Sequence, residues 1–187
     1  MSRIPAEVEH LFATERAGWT RVSGTALAAI VLGTLWVLWQ ALSGEQWVPL
    51  LDGANLLFHE AGHPLFGIFS ERLTVYGGTL GQLVFPAVVL WHFWRRRESA
   101  SAGVAALWLL ENGLNIGRYM ADARAQLLPL VGNGEHDWTE ILGRWGMLQH
   151  DTLLAGLLRG SCVLGMLLAL AVLVYAWHLR RDEAGDV

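Results

Sequence analysis

Two stretches limit what this chain can become. Residues 22–42, VSGTALAAIVLGTLWVLWQAL, carry no charged side chain, and residues 153–179 form a second long apolar run broken only by Arg159. A helix needs about 20 apolar residues to cross the hydrocarbon core of a bilayer, so both runs read as membrane spans. The composition agrees: 16% of residues are charged, where a soluble domain carries roughly a quarter. The expected fold class is therefore all-α, a polytopic integral membrane helical bundle of about five membrane segments in a single domain.

The remaining segments follow from apolar runs and their breaks. A second segment covers residues 50–69. Gly77 and Gly78 read as a turn, after which a third covers 79–94, so that residues 22–94 hold three spans. A fourth runs over 102–128. Residues 129–138 form a loop punctuated by Gly and Pro, 139–150 a short helix, and 153–179 the last span. Residues 1–21 are an amphipathic N-terminal segment without the basic start and apolar core of a cleaved signal peptide. Arg95, Arg96 and Arg97 after the third segment, and Arg180 and Arg181 after the last, argue for cytoplasmic ends. With five full spans the N-terminus then lies outside, unless a segment near 55–69 is re-entrant. The expected location is a bacterial inner membrane, with the lipid bilayer as partner and a homo-oligomer or larger membrane complex open.

Several chemistries are excluded. All 13 basic residues are Arg, so no Lys can act as base or Schiff-base former. A net charge of -4 without a basic stripe argues against nucleic acid. Cys162 is the only cysteine, which rules out an intrachain disulfide and a Cys-based zinc cluster.

Against that apolar background, residues 55–69, NLLFHEAGHPLFGIF, place His59, Glu60 and His63 where each charge costs roughly 2.5 kcal/mol or more unless something compensates it. His59 and His63 are four apart, so on a helix they share a face and can chelate one ion. Glu60 lies beside them where such sites keep the base that takes a proton from water. Two His do not complete a zinc site. The fourth segment offers Glu111, Asn115, Arg118 and Asp122, which at 3.6 residues per turn fall within about 60° of one another and must face the protein interior or a wet cavity. The loop GNGEHDW adds Glu135, His136 and Asp137, and LQHD adds His150 and Asp151. Asp122 and His136 compete as third ligand, with His150 and Glu111 behind them. Arg118 and Asn115 are the candidates to stabilise an oxyanion.

FHEAGHPLFGIF followed by YGGTLGQLVFP resembles the site-2 protease family of intramembrane zinc metallopeptidases over about 30 residues. The resemblance implies one Zn2+ ion held by His59 and His63, Glu60 as catalytic acid/base, and cleavage of membrane-embedded or membrane-proximal peptides. It also implies a third ligand, an Asp before Gly on a later membrane helix; Asp122, in NIGRYMADARAQLLPL, lacks that Gly. Two other functions fit the same residues: a zinc hydrolase of lipid amides or esters, and a non-enzymatic membrane subunit or metal carrier.

Overall fold

A computed structural model describes residues 18–43, 46–131 and 135–185, with the backbone alone for 180–185. The described residues are all-helical. In chain order the helices are α1 (Gly24–Leu42), α2 (Leu51–Gly67), α3 (Glu71–Arg95), α4 (Ser99–Ala121), α5 (Asp137–Arg144) and α6 (Asp151–Gly185), the last preceded by a 3₁₀ turn at Leu148–His150. The N-terminal segment expected over residues 1–21 lies outside the described residues as far as residue 17.

Side-chain caps open two of the long helices. Ser23 accepts from the Ala26 amide at 3.1 Å and opens α1, and Ser70 accepts from the Arg72 amide at 3.2 Å and opens α3. Asp52, in the first turn of α2, reaches back to accept from the Val48 amide at 2.6 Å. Pro64 lies within α2 without ending it.

Gly77 and Gly78 do not form a turn: both sit inside α3, which therefore begins eight residues before the segment expected at 79–94. Their smallness serves contact between helices. A Cβ on Gly62 would lie 2.1 Å from the Gly77 carbonyl oxygen, and one on Gly81 would lie 2.5 Å from that of Phe58. Side chains this small let α2 and α3 meet backbone to backbone, a common device where lipid supplies no hydrophobic drive between helices. The fourth segment is also shorter than expected. It stops at Ala121 because Asp122 turns both carboxylate oxygens onto the amides of Leu127 and Leu128, at 2.9 and 3.0 Å, and closes a turn.

Among the described residues three helices are long and apolar enough to cross a membrane: α1, α3, and the stretch Leu148–Leu179 that contains most of α6. The helix α2, with 17 residues, carries Asp52, His59, Glu60 and His63. Large apolar side chains face outward and polar ones are buried to a degree unusual for a soluble protein. Leu32, Trp39, Val88, Leu157 and Val172 point outward, while Asp52, Asn55, Gln82, Glu111 and Asn112 are buried. Apolar packing joins α1, α4 and α6 through Leu38, Leu114, Met166 and Leu170. A second cluster seats α5: Trp138, Ile141 and Leu142, on one face at helical spacing, pack against Ile116 and Met120 of α4 and Ala155 of α6. That seating fixes the N-terminus of α5, and with it Asp137.

Candidate metal centre

His59 and His63 project from α2 toward α3 and the start of α5. His63 Nδ1 lies 2.8 Å from the Thr74 carbonyl oxygen. A carbonyl can only accept, so Nδ1 carries the hydrogen, which in the neutral ring leaves the lone pair on Nε2. His59 Nδ1 lies 3.3 Å from Gln82 Oε1. The two Nε2 atoms face Asp137 Oδ2, at 2.9 Å from His59 and 3.3 Å from His63. Despite those distances Asp137 Oδ2, fully buried, has no hydrogen-bond partner among the described residues. Acceptors that converge in this way repel one another unless a cation sits among them. One ligand atom from each of His59, His63 and Asp137 falls within 4.8 Å of the others, a group able to hold a metal ion.

Gly78 makes room for both rings. A Cβ there would come 2.5 Å from His59 Nε2 and 2.8 Å from His63 Nε2. Tyr119 supports the group from α4. Its hydroxyl accepts from the Asp137 amide at 3.1 Å, and its ring lies edge-on to His59 and against His136.

The third member of the group is thus Asp137 rather than Asp122 or His136. Those two are turned toward each other: His136 Nε2 lies 3.5 Å from Asp122 Oδ2. His136 is the N-cap of α5, and its Nδ1 accepts from the Thr139 amide at 3.4 Å. The hydrogen is therefore on Nε2, and no lone pair is left for an ion. Burial also pushes the His136 imidazole down, toward its neutral form. Asp122 is engaged by the Leu127 and Leu128 amides. His150 is exposed in the 3₁₀ turn, and Asp151 binds Arg124 at 2.7 Å, tying the chain after α4 to the start of α6.

A cavity of about 970 Å³ opens onto the group, lined by His59, Glu60, His63, Asp137, Tyr119, Gln82, Asn115 and Arg118, with apolar walls from Trp47, Leu56 and Leu130. That volume lies at the upper end of the range for ligand sites. Glu60 draws no hydrogen bond or ion pair from the described residues, so its carboxylate is available to a ligand in the cavity. The polar stripe of α4 does face inward, as expected, but its members are differently employed. Glu111 accepts from Asn55 Nδ2 at 2.7 Å. Asn115 donates to Asp52 at 2.7 Å and accepts from Gln82 at 2.7 Å, which engages both ends of its amide. Arg118 lies over the Trp47 ring, 5.4 Å from its centroid.

Fold and site together define a helical protein with membrane-length helices around a buried His–His–Asp group able to hold a metal ion. Comparison with protein-family models, with curated proteins and with solved structures finds no match to this chain.

Proposed function

We propose that the chain is a membrane-embedded zinc-dependent hydrolase, a metallopeptidase of the site-2 protease kind acting on membrane or membrane-proximal peptides. The observation that carries this reading is the convergence of His59, His63 and Asp137 on one point beside an unengaged Glu60. Two imidazole nitrogens and one carboxylate oxygen are a donor set that suits catalytic zinc, which keeps a fourth position open. Zinc bound there would supply Lewis acidity and lower the pKa of water in the open position. Glu60 follows His59 directly and lines the same cavity, placed to take a proton from water and return it to the leaving nitrogen. Arg118, with no carboxylate within ion-pair distance among the described residues, is the cavity's available cation for a developing oxyanion or a substrate carbonyl. Exposed apolar side chains lining the cavity, Leu130 and Val131 among them, suit an apolar peptide. In this reading α2 and α4 complete five membrane segments, their polar faces turned to the cavity and away from lipid.

The test is Glu60→Gln in detergent-purified protein, read by zinc content and by cleavage of quenched-fluorescent apolar peptides. Zinc content should be unchanged while turnover falls roughly 100-fold or more, in line with the usual weight of a general base. Equal turnover in Glu60→Gln would exclude the assigned role. Absence of bound transition metal from wild type purified without chelators would exclude the zinc reading as a whole.

A further inference from the structure

We propose that Asp52 is a positioning residue for His59: acting through two amides, it decides which nitrogen of that ring carries the hydrogen and so which one can bind an ion. The inference rests on the metal reading of His59, His63 and Asp137.

The chain of contacts is Asp52, Asn115, Gln82, His59, carried by α2, α4, α3 and α2 again. Asp52 is 1% exposed. The Val48 backbone amide, which can only donate, binds its Oδ2 at 2.6 Å. Asn115 Nδ2 reaches its Oδ1 at 2.7 Å, and Asn55 Nδ2 lies 3.4 Å from the same atom. The orientation of Asn55 is itself fixed, because its Oδ1 accepts from Trp108 Nε1 at 2.9 Å and an indole can only donate. A carboxylate offers acceptors alone, so Asn115 must turn its NH2 group toward Asp52 and its oxygen toward Gln82. Gln82 then donates from Nε2 to Asn115 Oδ1 at 2.7 Å and must present Oε1 to His59. The atom facing Oε1 is Nδ1, at 3.3 Å, and it must bring the hydrogen. His59 Nε2 is left as a lone pair aimed at Asp137 Oδ2, matching what the Thr74 carbonyl imposes on His63. One ring is set by a backbone carbonyl, the other by a remote carboxylate.

The chain has a polarity, and it can be reversed. In Asp52→Asn the new amide must give its oxygen to the Val48 amide, which leaves its NH2 facing Asn115. Asn115 then turns over, Gln82 follows, and an N–H faces His59 Nδ1. The hydrogen moves to Nε2, where it blocks the ion. Adding Gln82→Glu restores acceptors at both ends of the reversed chain, since the introduced carboxylate takes a hydrogen bond from Asn115 and one from His59 Nδ1. Gln82→Glu alone traps the Asn115 oxygen against a carboxylate.

Zinc affinity of detergent-purified variants, by competition with a chromophoric chelator, reads this directly, with helical circular dichroism and the thermal midpoint in EDTA reporting on the fold. Asp52→Asn should weaken zinc about 10–100-fold, the usual effect of losing an outer-sphere partner. Gln82→Met, which leaves the Asp52 corner untouched, should do the same. The double variant Asp52→Asn/Gln82→Glu should bind zinc more tightly than either of its single variants. Losses that simply add in the double variant, or wild-type affinity in Gln82→Met, would overturn the role of Asp52. A wild type that takes up no zinc would overturn the metal reading itself, and this inference with it.

Discussion

At the scale of single residues, the site depends on where lone pairs point. Asp137 and His136 are neighbours in sequence, yet only one faces His59 and His63, because the N-cap position turns the other ring onto the Thr139 amide. Gly78→Ala puts a methyl where both imidazoles sit. It should abolish zinc binding while leaving helical circular dichroism close to wild type, and zinc retained at full stoichiometry in that variant would contradict the placement of the rings. Much of the site was legible here: HEAGH in an apolar run placed His59, Glu60 and His63 on one helix, and GEHDW marked the loop that completes the group. Asp137 was missed: the sequence set Asp122 against His136 as third ligand, and the structure brings neither of them to the two imidazoles. A His–Asp pair offers two ligands of equal standing until the cap geometry of α5 assigns one of them to the backbone. Nor does spacing reveal that Asn115 and Gln82 are linked, since they meet across 33 positions of sequence.

At the scale of helices, the contact of α2 with α3 carries the centre, and glycines set its distance. Gly62→Ala would force a methyl against the Gly77 carbonyl. Overpacking of this kind costs about 1–3 kcal/mol, so the thermal midpoint in detergent should fall and zinc affinity with it; an unchanged midpoint would contradict the close approach. The reading of Gly77 and Gly78 as a turn failed on this point. Glycine breaks helices in water, but between membrane helices its missing side chain is what permits contact. The expected length of the fourth segment failed for a similarly local reason, since Asp122 caps the turn after Ala121 with its own carboxylate. At the start of α6, the buried Asp151 holds Arg124 through two nitrogens. Asp151→Ala should destabilise by about 1–3 kcal/mol through the lost charged hydrogen bonds, measured as a lower midpoint with zinc stoichiometry intact.

At the scale of the whole molecule, the polar groups of α2, α3 and α4 are buried while many large apolar side chains face outward, which the long uncharged runs announced. Which runs are long and apolar enough to cross a membrane was less legible, because α2 is both short and loaded with the groups of the candidate site. Cys162, the sole cysteine, is buried among α1, α4 and α6. It should stay unreactive to maleimide in mild detergent and react in SDS, and labelling of the folded protein would contradict the packing of those helices. The centre itself joins α2 to α5, across 74 positions from His63 to Asp137 by their numbering, so its ion content reports on the assembled molecule. The most direct measurement is zinc per chain in wild type, Asp137→Ala and Asp122→Asn, each purified in detergent without chelators. One zinc per chain in wild type and in Asp122→Asn, and none in Asp137→Ala, is the expected result. Zinc kept by Asp137→Ala and lost from Asp122→Asn would contradict the account.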